Sequence, residues 1–554
     1  MATGTDLDQG KGRRPGMSTR VGGRWRQLSL PSRQQQITVL LVLLALLPAL
    51  MALPGLFGKP YAPGTDEILL ELGARRVTHA VVELGPYSRN GWFHPGPTIY
   101  YLLAGPYLLT GRSSVGILFA ALIINATAIT LIVVTVRRQA GLLAALGSLA
   151  VLLLVLRAMP AKILADPWNP YLPILILLLM IVLAWRAVAG RHQLLPALPV
   201  LASVCVQTHI GFLLPCIAVL AVTVVLLVLR RKRPRIGMRR WVPWLGVLVL
   251  MWLPPIWQQL TGRQGNLAAI WHYFREGQKT QSWSATLHVV ETELGRLPAY
   301  ILDIHARPNF VLPPVLPLWT TFVTIAAFVG IVVLAVLRRE RIVIELAILT
   351  VAVSLSALVA VKQVTGFLFE YVVQWASLSG ALAWMTVAIG VATFLHRSSA
   401  RDDSSMRFAG RSAVALGALC ALVAAAVGVP LGLAAGRTRP QNEPDAPPVA
   451  TQVRHWLAGR PPGVVGIRYL PCLRPSFLCI GPAGHAVIGQ LVLHGVPTRS
   501  LDFDSWYFRP VVSGGQAPVT YPMLLGFTRG DSPIPPAPWH QVARSGHLVV
   551  YSRG

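Results

Sequence analysis

The sequence predicts an α-helical polytopic membrane protein that carries a small C-terminal extracytoplasmic domain of α/β or β-rich type. Three observations predict it. Only 13% of the 554 residues are charged and 54% are hydrophobic, about half the charged share of an ordinary soluble domain. Apolar segments near the ~20 residues that a bilayer crossing needs recur from residue 37 to residue 435. Basic residues gather in alternate short connections, as loops retained in the cytoplasm do.

The formal charge of +28 and the mean hydropathy of +0.57 are read together. In a soluble chain such a charge would point to nucleic acid. Here no basic run is interleaved with stacking aromatics, and the cations sit in loops that suit an anionic lipid surface. Nucleic acid is therefore excluded as a partner, and membrane lipids are expected in its place.

Residues 1–36, rich in Gly, Arg and Ser, are expected to form a disordered basic cytoplasmic segment. It is too long and too basic to be the leader of a cleaved signal, so the first apolar run stays as an anchor. The transmembrane domain covers 37–435, with about eleven spans: 37–57, 113–136, 141–158, 171–188, 194–210, 211–229, 242–260, 311–337, 342–361, 371–395 and 413–435. The apolar piece 98–110 is too short to cross and is expected as a re-entrant or interfacial helix. Arg137 and Arg138, Arg186 with Arg191, the run Arg230–Arg240, the RRER at 338–341 and the segment 397–411 share the side of the basic N-terminus. That side is cytoplasmic by the positive-inside rule, and an odd number of spans places the C-terminal domain outside. The bacterial inner membrane is the expected location.

A Pro-rich linker spans 436–450, and the domain 451–554 holds short β-like runs between Gly/Pro turns (VVGIRYL, HAVIGQLVLHG, HLVVYSRG). Cys205, Cys216 and Cys420 lie in apolar spans as packing residues. Cys472 and Cys479 are close enough in an outer domain to form a local disulfide. Asp502 and Asp504 are two acids without further ligands, read as a solvated turn. No P-loop, GxGxxG, zinc spacing or nucleophile elbow is present, so ATP-driven transport is disfavoured.

Polar residues concentrate at the outer ends. The first outer loop, 58–112, contains GTDEILLELGARR followed by NGWFHPGPTIYYLLAGPY. A carboxylate at the membrane surface is costly and usually functional. Asp66 can act as a general base that accepts a hydroxyl proton, with Glu67 beside it as a substrate contact; the alternative is that Asp66 and Glu67 only favour the N-terminus of the following helix. Arg89 and His94 offer cationic contacts to a phosphate or pyrophosphate leaving group, or anchor the loop beside Trp92 and Phe93 at the interface. Arg75 and Arg76 are further, less constrained candidates. Asp166, Trp168 and Asn169 stand in a Pro-framed turn, where they could hydrogen-bond and stack on a sugar or simply build an Asx turn. Gln207 and His209 interrupt two apolar runs, as substrate contacts or as satisfied structural groups. No metal site is read, no cofactor is called for, and a divalent cation is left open.

The GTDE acid pair in a long first loop, the HPGP turn before a short apolar helix, and the outer C-terminal domain together resemble the GT-C superfamily of polyprenyl-phosphate-sugar glycosyltransferases. The NGWFHPGP segment is similar to the turn that protein mannosyltransferases and aminoarabinose transferases carry as a His- or Lys-Pro-Pro sequence, with Gly96 here in place of the second Pro. No WWD-type motif is present, which argues against an oligosaccharyltransferase. The resemblance implies that Asp66 is the base, that the donor is a polyprenyl-phosphate-linked sugar, and that the acceptor is a glycan, lipid or protein of the cell envelope. Arginine far outnumbers lysine and Ala, Gly and Pro abound, as in high-GC bacteria; with the resemblance this implies an arabinofuranose or mannose donor. Two other classes compete: a lipid-linked-sugar flippase, which would need broken spans near the midplane, and a non-catalytic cell-envelope assembly subunit.

Overall fold

The structure is a computed structural model that describes residues 32–553 apart from 160, 231–236, 263–264, 305–314, 399–402, 472–480, 503–504, 510–517 and 529–531. Cys472, Cys479 and Asp504 lie outside the described residues, as does nearly all of the basic N-terminal segment.

The first helix, α1 (Arg33–Phe57), starts on a capping box: Ser32 Oγ accepts from the Gln35 N–H at 3.3 Å, and the Gln35 side chain accepts from the Ser32 N–H at 2.7 Å. Next come α2 (Thr65–Arg76), which opens with Asp66 and Glu67 and closes with Arg75 and Arg76, and the short apolar α3 (Thr98–Leu109). This charge order along α2 suits the helix dipole at both ends. The bundle continues through α4 (Val115–Ala140), α5 (Leu142–Ala158), α6 (Pro173–Val188), α7 (Ala197–Thr208), α8 (Leu213–Leu229) and α9 (Met238–Thr261). Then follow α10 (Asn266–Arg275), α11 (Trp283–Ile301), α12 (Leu318–Leu337), α13 (Arg341–Lys362), the short α14 (Glu370–Val373), α15 (Leu378–Ser398) and α16 (Asp403–Arg437).

Among the described residues eight helices are long and apolar enough to cross a membrane, and the chain is a multi-pass membrane protein. Three expected spans fold shorter than anticipated. Those at 141–158 and 171–188 become α5 and α6, of 17 and 16 residues. The one at 194–210 becomes α7, only 12 residues long, because His209 takes extended backbone (φ −155°, ψ 121°) and ends the helix. At 1.5 Å per residue α7 is roughly 18 Å long, well short of a hydrocarbon core. Of these, α6 and α7 are almost wholly buried inside the bundle, and α5 is buried along much of its length. By contrast α9 buries Pro255 alone and exposes Val242, Leu245, Val249 and Leu253, the pattern of a helix that faces lipid.

α16 packs lengthwise on α1 through glycines four apart. A Cβ on Gly432 would lie 2.1 Å from the Pro48 carbonyl oxygen, and one on Gly436 would lie 2.3 Å from that of Ala52. Small residues at this spacing let two backbones approach where no hydrophobic drive separates helix from lipid.

Beyond α16 the connection is shorter than the expected linker 436–450, because α17 (Ala446–Leu457) already begins with Pro447 and Pro448 in its first turn, where a missing N–H costs nothing. The C-terminal domain is of the α/β kind. Its strands are β1 (Val464–Tyr469), β2 (Thr498–Ser500), β3 (Val519–Phe527), β4 (His540–Ser545) and β5 (Leu548–Ser552), with α18 (Gly481–Leu493) crossing between β1 and β2. The sheet order is β2-β1-β3-β5-β4; β1 is parallel to β2 and β3, and β5 is antiparallel to β3 and β4. One hydrophobic cluster runs from Leu41 in α1 through Tyr100 in α3 to Val550 in β5, and α18 packs directly on α2. The domain is therefore seated on the element that carries Asp66.

Candidate active site

Asp66 is the second residue of α2, behind Thr65, whose φ of +36° is a left-handed value for a β-branched residue. Such a conformation costs on the order of 1–3 kcal/mol and persists only where its surroundings enforce it. The half-buried Asp66 carboxylate accepts two side-chain hydrogen bonds. The Tyr87 hydroxyl donates to Oδ1, and the Trp168 indole N–H donates to Oδ2 at 2.6 Å. Burial pushes the Asp66 pKa above the ordinary aspartate value; Tyr87, His485 and Trp168 work against that shift without cancelling it. A carboxylate raised in this way is a better proton acceptor than one in water.

Trp168 is held by the turn expected for its Pro-framed loop. Asp166 Oδ1 accepts the Trp168 backbone N–H at 2.9 Å, and the Trp168 ring lies against Tyr371 at 4.5 Å between centroids. Asn169 donates to the Thr208 carbonyl at 3.3 Å, which ties this loop to the end of α7.

These groups open onto a cavity of about 610 Å³. Its lining includes Asp66, Tyr87, Arg89, His94, Trp168, Asn169 and His209. Apolar side chains from α8 (Leu213, Leu214), α10 (Leu267, Ile270) and α13 (Val359, Ala360) line the cavity as well, with Ser88, Asn90, Gln363 and Thr365 among them. Arg89 is exposed; its guanidinium donates to the carbonyls of Thr365 at 3.0 Å and Phe367 at 2.7 Å and lies 4.7 Å from the Phe369 ring centroid. Those contacts fix its plane at the cavity wall.

His94 differs from its expected cationic role. It is buried, and Nδ1 accepts the Ile210 N–H at 3.2 Å. Burial first, and the neighbouring His209 next, push its pKa well below that of free imidazole. Its ring therefore meets the cavity as a neutral Nε2–H donor. His209 is arranged alike, with Nδ1 accepting the Gly211 N–H at 3.2 Å, and the two rings are 4.5 Å apart.

Other expected site residues stand outside the cavity wall. Glu67 is fully buried behind Asp66, and Asp166 serves the Trp168 turn. Gln207 accepts from the Thr98 hydroxyl, donates to the Met251 carbonyl at 3.0 Å, and packs on Gly96, where a Cβ would lie 2.3 Å from its Oε1. That contact explains why a glycine, with no side chain and no ring, occupies position 96. Arg75 donates to the Leu493 carbonyl of the C-terminal domain. Tyr87 and Tyr371 were missed by sequence reasoning; Tyr87 follows Gly85 and Pro86, Tyr371 stands between Glu370 and Val372, and neither stretch carries a signal of its own. The one metal-capable group among the described residues, Glu443, Asp445 and His547, lies outside the cavity wall, at the connection to the C-terminal domain.

No family model matches the sequence, and no curated protein matches it either. Solved structures do match. ArnT from Cupriavidus metallidurans in the apo state superposes with a TM-score of 0.54 at 15% identity, covering 94% of this chain and 99% of that one. The same protein bound to undecaprenyl phosphate gives 0.53 at 15%, covering 93% and 98%. The arabinofuranosyltransferase AftD from Mycobacteria gives 0.42 at 14%, covering 94% of this chain and 40% of that one. The likeness to ArnT extends over nearly the whole of both chains and shows that this chain shares the overall fold of that protein.

Proposed function

We propose that the protein is a membrane glycosyltransferase that takes a sugar from a polyprenyl-phosphate donor, with Asp66 as the base. The observation that carries this reading is the cavity's mixed lining. A carboxylate with a raised pKa and a fixed guanidinium line it together with apolar side chains from three helices. A polyprenyl-phosphate sugar has the same mixed character, and ArnT, which shares the fold, has been solved with undecaprenyl phosphate bound.

In the reaction, an acceptor hydroxyl at the cavity mouth gives its proton to Asp66 as its oxygen bonds to the anomeric carbon. The bond from that carbon to the phosphate oxygen breaks, and the electron pair leaves with the lipid phosphate. Tyr87 and Trp168 orient the carboxylate so that an oxygen lone pair meets the hydroxyl. Arg89 offers charge, and His94 and His209 neutral N–H groups, to the departing phosphate. A single base fits single displacement with inversion. Arabinofuranose or mannose is the proposed sugar, and an envelope glycan, lipid or protein on the outer face of a bacterial inner membrane the proposed acceptor.

The test is reconstitution in proteoliposomes with decaprenyl-phosphate arabinofuranose or decaprenyl-phosphate mannose and an envelope extract as acceptor. Sugar transfer with release of decaprenyl phosphate supports the reading. Movement of the intact donor between leaflets, without release, would replace it with transport.

A further inference from the structure

α2 begins without a cap of its own. Gly64 precedes it and has no side chain to accept the first-turn N–H groups, which Ser, Asp or Asn would do at that position. The acceptor comes from the far end of the chain: Gln441 Oε1 takes the Asp66 N–H at 3.1 Å, across 375 residues. Gln441 is itself held at φ +43°, and Thr65, the residue before Asp66, at +36°, so the chain passes through left-handed backbone on both sides of this contact, which these side chains disfavour. What enforces it is a short zipper. Gly64 N–H donates to the Gln441 carbonyl at 2.7 Å, Glu443 N–H to that of Ala62 at 2.7 Å, and the Tyr61 hydroxyl to that of Pro440 at 2.9 Å. On the other side of the carboxylate, Tyr507 of the C-terminal domain stacks on Tyr87 with centroids 3.9 Å apart and planes 15° apart.

We infer that Gln441 is a positioning residue for Asp66, an N-cap supplied by the connection to the C-terminal domain, which makes that domain part of the catalytic centre. The inference rests on Asp66 being the base. Without the Gln441 acceptor the first turn of α2 frays, and Asp66, second in that turn, loses its aim. Donor contacts come from other elements, so the loss falls on turnover.

The experiment compares wild type, Gln441→Leu, Gln441→Glu and Asp66→Asn as full chains in nanodiscs. Decaprenyl-phosphate arabinofuranose and decaprenyl-phosphate mannose are the probes, and amide hydrogen exchange is followed in parallel. Q441L is expected to lower kcat by about five-fold or more, with donor KM within about two-fold, and to speed exchange at the first-turn amides of α2. Q441E keeps an acceptor oxygen but sets a second carboxylate beside Asp66. It is expected to recover turnover with the acid limb of its pH profile moved upward. Unchanged exchange at Asp66 in Q441L overturns the inference, as does a loss confined to KM. Full transfer by D66N would remove the base assignment, while the exchange measurement still decides the cap, whichever donor is accepted.

Discussion

The Trp168 indole N–H donates to Asp66 Oδ2 at 2.6 Å, joining the first turn of α2 to a polar loop 102 residues further along the chain. With the Tyr87 hydroxyl on the other oxygen, it leaves the carboxylate aimed by two neutral donors and without an ion-pair partner among the described residues.

That arrangement sets a pH dependence. A base works only when deprotonated, so a raised Asp66 pKa places the acid limb of kcat/KM above the ordinary aspartate range. Tyr87→Phe removes a group that stabilises the charged form while its ring can still stack on Tyr507. The acid limb should move to higher pH and the plateau should fall about 10-fold to 100-fold, the worth of one hydrogen bond to a charge. Rate–pH profiles of the two proteins check this.

Arg89 is braced by two carbonyls and an aromatic face, so its geometry matters as well as its charge. Arg89→Ala should weaken binding of polyprenyl phosphate about 10-fold or more. Arg89→Lys should recover little, because an ammonium cannot reproduce the planar fork. Binding measured with undecaprenyl phosphate in nanodiscs separates the two variants.

Much of this site was legible in the sequence, for reasons that differ by residue. Asp66, Arg89, His94, Trp168, Asn169 and His209 could be singled out because polar groups beside hydrocarbon need a reason, and the fold gathers them on one cavity. Glu67, Asp166 and Gln207 have the same chemistry, but their side chains are consumed by packing and local turns, which spacing does not reveal. The protonation state of His94 was misread because burial, not residue type, decides it. The short α7 was missed because its length depends on one extended residue, His209. Gln441 had no local signature at all, since its partner lies 375 positions away.

Glu71 gives a stability prediction. It is buried on α2, accepts from Tyr107 at 3.2 Å and Ser114 at 3.0 Å, and burial raises its pKa from 4.5 to about 7. A group whose folded pKa is raised stabilises fully below its unfolded pKa, and the contribution is lost as pH rises through about 7. Glu71→Gln should therefore raise the unfolding midpoint at pH 8 relative to wild type and change it little at pH 4. The shift at pH 8 corresponds to up to about 3 kcal/mol, read from thermal unfolding in detergent at the two pH values.

Gly96 faces Gln207 with no room for a methyl group. Gly96→Ala should destabilise by about 1–3 kcal/mol and lower activity by displacing the His94 turn. Pairing it with Gln207→Ala should recover much of the unfolding midpoint, because the truncated side chain vacates the space. Thermal unfolding of the two single variants and the double variant shows whether the costs add or cancel.

The most direct measurement replaces Asp66 by Asn and follows both donor binding and transfer in the same nanodiscs. The amide keeps the size and one acceptor oxygen but cannot take the acceptor's proton. The expected result is donor binding within about three-fold of wild type and transfer lowered by at least about 100-fold. Near wild-type transfer by a well-folded D66N protein would contradict the assignment and move the chemistry to another residue.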